Sequence, residues 1–100
     1  MRVVPLAAVP AQTFTVTLAG QNVRINLYQK QYGLFADVLV NDRFIVAGVL
    51  CANAARIVGT DYLGFIGDLA FYDMEGDRAP NYLGLGNRWF LAYLEASDLQ

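Results

Sequence analysis

Residues 65–72 and 88–94 constrain this chain more than any other stretch. Each is a run of aromatic and aliphatic side chains, and the residues between them are rich in Asp, Gly, Pro and Asn. Such a pattern reads as a β-hairpin with a long tip, because large apolar residues favour a pleated surface and the intervening residues favour turns. Successive strand residues point to opposite faces. Phe65, Leu69 and Phe71 therefore share one face of the first arm, and Ile66, Ala70 and Tyr72 share the other. In the second arm Trp89, Leu91 and Tyr93 oppose Phe90, Ala92 and Leu94. Both faces are apolar, so a hairpin of this kind needs cover on both sides. The chain's own core supplies one cover; the other is expected to come from elsewhere.

The rest of the chain reads as short strands and tight turns. In residues 13–18 Phe14, Val16 and Leu18 alternate with three threonines. Residues 19–21 (Ala-Gly-Gln) turn the chain, and residues 22–28 return with Val23, Ile25 and Leu27 inward. A turn over residues 29–33 leads to a third strand at residues 34–40, a tight Asn41-Asp42 turn, and a fourth strand at residues 43–49. Apolarity is nearly continuous in these last two, which predicts central strands. Asp37 is the exception; if buried it needs a partner such as Arg24 or Arg43. Residues 3–6 are read as a short leading strand whose Pro5 requires an edge. Residues 50–59 read as an irregular crossover leading to Tyr62-Leu63-Gly64, and residues 97–100 as a frayed end. Six or seven short strands, turn signals spaced roughly 8–12 residues apart and no long helical period predict an all-β fold. The expected form is a small antiparallel barrel or sandwich in one domain spanning residues 1–100.

Composition supplies the argument for a partner. Hydrophobic residues make up 56% of the 100-residue chain and charged residues 16%, against about 25% charged in ordinary soluble domains. A domain this small leaves over a third of its surface exposed, so the apolar excess points to an assembly. Six of the seven basic residues are Arg and only Lys30 is Lys, the bias of an interface. Residues 1–60 carry a net +3 and residues 61–100 a net −5. This either makes a dipolar module or vanishes where the two parts interleave in space. An acidic total with one lysine opposes nucleic-acid binding. No stretch reaches the roughly 18 apolar residues of a spanning helix. The N-terminus, broken by Pro5 and Pro10, makes a poor signal sequence.

Catalytic chemistry has little to work with. There is no histidine, and the one serine, Ser97, lies at the chain end, so the usual bases and triads are absent. Asp61 and Asp68 form a conceivable acid/base pair without a pocket signal. Asp73, Glu75 and Asp77 resemble a cation loop only loosely, without the twelve-residue calcium spacing, and a solvated hairpin tip is the better reading. Gly84 and Gly86 read as turn glycines rather than a phosphate loop. Cys51 has no partner for a disulfide or a cysteine zinc site and is expected as a buried thiol. No catalytic, cofactor or metal residue is therefore assigned, and the chain is not expected to be an enzyme. The aromatic residues Phe65, Phe71, Tyr72, Trp89, Phe90 and Tyr93 are the candidate interface anchors.

Several segments carry a resemblance. The Val4-Pro5-Leu6 start, T-F-T-V-T-L-A-G-Q at residues 13–21 and V-A-G-V-L at residues 46–50 are joined by Y-L-G-F-I-G-D-L-A-F-Y-D at residues 62–73 and L-G-L-G-N-R-W-F-L-A-Y-L-E at residues 83–95. Together they resemble the small baseplate plug proteins of contractile-tailed bacteriophages, related to a cyanophage plug. The likeness runs over nearly the whole chain and departs at residues 50–58, where alanines and Asn53 replace a Leu/Pro-rich crossover. It implies a virion component of the tail baseplate, assembled in the host cytoplasm in several copies. Its implied partners are the hub, spike, tail-tube and tape-measure proteins, and its implied role is to close or line the distal end of the tail. It offers no catalytic residues. The alternative is a free-standing β-barrel module that binds a peptide or small ligand.

Overall fold

The computed structural model describes residues 2–59 and 65–99; Asp61 and the Tyr62-Leu63-Gly64 segment lie outside the described residues. Seven strands occur among those described: β1 (Arg2–Val4), β2 (Ala11–Leu18), β3 (Gln21–Lys30), β4 (Gly33–Val40), β5 (Arg43–Leu50), β6 (Asp68–Asp73) and β7 (Trp89–Leu94). Short 3₁₀ turns lie at Tyr82–Gly84 and Ala96–Leu99, the latter where fraying was expected. The strands form two antiparallel sheets ordered β2-β3-β4-β5 and β1-β7-β6. The sheets do not close on one another. Of the two expected architectures, the sandwich is the one formed.

The four-stranded sheet is a meander whose turns follow from its residues. Ala19 and Gly20 close β2 onto β3 with φ of 51° and 76°, and Asn41 and Asp42 close β4 onto β5 with φ of 51° and 65°. Two successive left-handed residues make the hairpin turn whose twist matches that of the flanking strands. Val23, Ile25 and Leu27 of β3 and Leu34, Ala36 and Val38 of β4 are all buried, while Asn22, Arg24 and the β2 threonines are exposed. From the other sheet Leu69, Phe71, Leu91 and Tyr93 complete a single core together with Val4, Phe65, Leu85 and Trp89.

Two expectations for this sheet are corrected. β4 is central, but β5 is an edge strand: Phe44 is 63% and Leu50 54% exposed. Its apolar run reflects packing along one side plus exposed hydrophobics, and the composition of one strand does not distinguish that from burial on both faces. Asp37 pairs with neither arginine. Its carboxylate accepts hydrogen bonds from Asn26 Nδ2 (3.1 Å), Tyr28 OH (3.0 Å) and the Gly48 N–H (2.8 Å). Arg24 instead reaches Asp42 at 2.7 Å. The β4–β5 register slips around Asp37, and Gly48 has φ of 65°, so a β-bulge aims that backbone N–H at the carboxylate.

At the N-terminus β1 ends at Val4, before Pro5, which has no N–H to offer a ladder. Residues 51–59 are irregular, as expected, and run along the outer edge of β6. The Ala54 N–H donates to the Phe71 carbonyl (2.7 Å) and the Ile57 N–H to that of Leu69 (2.8 Å). Gln21, buried between the sheets, ties the two together: its Nε2 donates to the Leu18 and Ile66 carbonyls, and its Oε1 accepts the Ile66 N–H at 3.0 Å.

Candidate interaction face

The hairpin arms β6 and β7 pair Leu69 with Tyr93, Phe71 with Leu91 and Asp73 with Trp89 on one face, and Ala70 with Ala92 and Tyr72 with Phe90 on the other. The apolar residues of the first set face the core, and Asp73, at the strand end, lies at its margin. Phe71 is fully buried, Phe65 and Tyr93 are 2% exposed and Trp89 7%. Of the six aromatic anchors expected from the sequence, the structure places these four inside the sandwich and leaves Tyr72 and Phe90, both half-buried, on the outward face. β1 extends that face, with Val3 beside Ala92 and 55% exposed.

The outward face has two ends. Towards Asp68 the chain covers itself. The Asp68 side chain is fully buried under residues 56–59, accepting the Val58 and Gly59 N–H groups (2.8 Å each), its neighbour Leu69 N–H (2.7 Å) and Arg56 Nε (2.9 Å). A carboxylate so fully engaged organises the crossover; it has no lone pair left to act as a general base. Towards Tyr72 the face is open. A depression of about 580 Å³ lies there, lined by Val3, Tyr72, Asp73, Met74, Phe90 and Ala92, with Met74 67% exposed. A smaller one of about 310 Å³ is lined by residues 3–6, Gly86 and Phe90. Val3 and Phe90 line both.

Asp73 builds the rim of this open end. Arg88 grips its carboxylate through two parallel hydrogen bonds (Nε to Oδ1 and Nη2 to Oδ2, 2.8 Å each), and the Glu75 and Arg78 N–H groups add 2.9 and 3.0 Å contacts. The Arg88 hydrogen bonds hold the Asp73 carboxyl well below the usual carboxylate range, and Asp73 in turn raises Arg88. The guanidinium lies 4.5 Å from the centre of the Trp89 ring, whose Nε1 donates to the Arg78 carbonyl at 3.1 Å. Of the expected acidic tip, Asp73 is thus taken into the structure, and Glu75 and Asp77 stay in solvent. Among the described residues no group of three or more His, Cys, Asp or Glu side chains is placed to hold a metal ion. Cys51 is buried, and burial pushes its thiol up to about 12.

Sequence reasoning divided the hairpin into its two faces correctly but missed Val3 and Met74 as members of the open one. The available signal was size. The face with small Ala70 and Ala92 at its centre fills less volume than the face with Leu69, Phe71, Leu91 and Tyr93, and the larger set goes to the core.

No curated protein matches the chain. A family described as the cyanophage baseplate Pam3 plug gp18 matches residues 1–96. That span takes in all seven strands, the core between the sheets and the whole outward face, and the chain belongs to this cyanophage baseplate plug family.

Proposed function

We propose that this baseplate component plugs or lines the distal end of the tail tube at the junction of hub and spike. In this reading it is present in several copies and is held by hub, spike, tube and tape-measure proteins. It assembles into the virion tail in the host cytoplasm, and its role is structural rather than catalytic. Family membership supports the baseplate setting. The single structural observation that carries the reading is the open apolar end of the β1-β7-β6 sheet, where Val3, Tyr72, Met74 and Phe90 meet solvent on a three-stranded platform. Apolar surface grouped in this way is what an assembly interface desolvates. A free-standing ligand module would orient its ligand with convergent polar groups. Among the described lining residues the polar side-chain groups are the Tyr72 hydroxyl and the Asp73 carboxylate, and Arg88 already holds the latter.

The test is to supply Tyr72→Asp and Phe90→Asp variants in the producing phage and to assay purified tails for the protein. Both variants should fold, since their side chains point away from the core, and neither should be retained in tails. Retention of both at the wild-type level would overturn the assignment of this face. Phe71→Asp and Trp89→Asp are uninformative here, because a charge in the core removes the fold itself.

A further inference from the structure

We infer that β2 is a self-pairing edge through which two copies of this chain join their four-stranded sheets into one continuous sheet. A two-sheet sandwich has four edges, and an unpaired edge is a template for another strand. Three of these edges are blocked. β6 is covered by the crossover, where Asn53 Oδ1 also accepts the Asp73 N–H. β5 is broken by two register slips between Ala36 and Leu39, and bulges of this kind twist an edge away from pairing. β1 has three residues. Among the described residues β2 differs from all of them: eight residues in unbroken register with β3, with no charge, proline or bulge in the strand itself.

The phase of its hydrogen bonds is known at both ends. The Pro10 carbonyl accepts Gln29 N–H from β3 at 2.7 Å, so the even-numbered residues bond inward. The Thr17 carbonyl accepts Arg2 Nη1 at 2.9 Å from outside the sheet, so the odd-numbered residues bond outward. Thr13 and Thr15 therefore present their backbone N–H and C=O groups to the free edge, and Thr17 presents its N–H and the second lone pair of its carbonyl.

This edge is complementary to itself. With a two-fold axis at Thr15, Thr15 meets Thr15 of the second copy and Thr13 meets its Thr17. On the inner face Phe14 then meets Val16 of the second copy, an aromatic–β-branched pair, while the outer face carries a threonine ladder. The alternation stays in phase across the joint: β3 places Ile25 beside Phe14 and Val23 beside Val16, with Asn26, Arg24 and Asn22 beside Thr13, Thr15 and Thr17. Apolar residues thus continue on one side and polar residues on the other, with Arg24, held by Asp42, flanking the axis. The half-exposure of Phe14 and Val16, in a sheet whose inner residues Val23, Ile25 and Leu27 are buried, is what such a neighbour would cover. A strand with a basic residue opposite Thr15 would meet Arg24, and an out-of-phase strand would break the apolar row, so the occupant that fits is a second copy of this chain. Closed pairing of this type is isologous and stops at two.

Sedimentation equilibrium of the purified protein over a dilution series tests the joint. The wild type should give a reversible dimer. Thr15 is exposed and stands beside Arg24, so Thr15→Lys should lower the urea unfolding midpoint only slightly while bringing two lysines and the two flanking Arg24 side chains together across the axis. Thr15→Lys alone should sediment as a monomer, and an equimolar mixture with Thr15→Glu should recover a heterodimer. Amide exchange at Thr13 and Thr15 should be slow in the dimer and fast in Thr15→Lys alone. A wild type that stays monomeric at every concentration overturns the inference, including the case in which it pairs only with another protein's strand. So does a Thr15→Lys protein as dimeric as the wild type, or a mixture that stays monomeric. The measurement uses the isolated protein, so the baseplate position proposed above can fail without affecting it.

Discussion

Three aspartates show how little a side chain's type says about its work. Asp68 is buried with four donors, Asp73 is gripped by Arg88, and Asp37 sits opposite a bulge. At Asp37 burial pushes the carboxyl up, but the Gly48 N–H, Asn26 and Tyr28 together outweigh it and hold the group below its ordinary value. Burial raises the Tyr28 hydroxyl, and the neighbouring Asp37 raises it further. The consequence of the two depressed carboxyls is a defined pH response. A group whose folded pKa lies below its unfolded value adds stability that is fully present above the unfolded value, about 3.9 for Asp. It loses that stability as pH falls through the folded pKa. Urea midpoints should therefore be level above about pH 5 and fall steeply below about pH 4. Asp73→Asn, with no proton to gain, should lower the neutral-pH midpoint and flatten the acid fall; an acid fall as steep as the wild type's would show that Asp73 does not drive it. The need of Asp37 for a partner was legible from its place in an apolar strand. Its partners were not, because Gly48 reaches it only through a register slip that no side-chain pattern announces.

At the scale of elements, the turns were the most legible part and the edges the least. Residue types at 19–21 and 41–42 specify tight hairpins through local backbone sterics alone, and both are found. One of the turns is also improvable. Ala19 sits at φ of 51°, a region that costs an ordinary L-residue about 1–2 kcal/mol and that Asn tolerates. Ala19→Asn should therefore stabilise the protein by roughly 0.5–1 kcal/mol, the scale of turn optimisation, as a raised urea midpoint with an unchanged slope. No gain would mean that the turn is not the left-handed pair seen here. The position of β5 illustrates the opposite case. Phe44, Ile45, Val46 and Val49 look like the interior of a sheet, yet the strand closes one edge of it. Whether a strand has one neighbour or two depends on where the chain goes next, and after β5 it crosses to lie along β6.

The two faces of the β6–β7 hairpin matter most for the molecule as a whole. Phe71→Ala should cost about 3–5 kcal/mol, the usual loss for a buried ring. Phe90→Ala, one register position away on the outer face, should cost less than about 1 kcal/mol; equal losses in urea unfolding would mean that the face assignment is wrong. Periodicity alone does not separate the two phenylalanines, since both stand in runs that are apolar on both faces; only the smaller bulk of the Ala70 and Ala92 face marks Phe90 as the outer one. By itself the sequence determined the all-β class, the hairpin turns, the inward set of β3, the buried thiol and a surplus of apolar residues over what a small core can use. Each follows from local periodicity, turn sterics or area. Only the tertiary structure decided that the sheets stack without closing, that β2 rather than β5 offers an intact edge, and that Tyr72, Phe90 and Val3 stand together on the outer face of the β1-β7-β6 sheet. Those outcomes depend on which sheet face meets its counterpart, a contact between residues far apart in the chain.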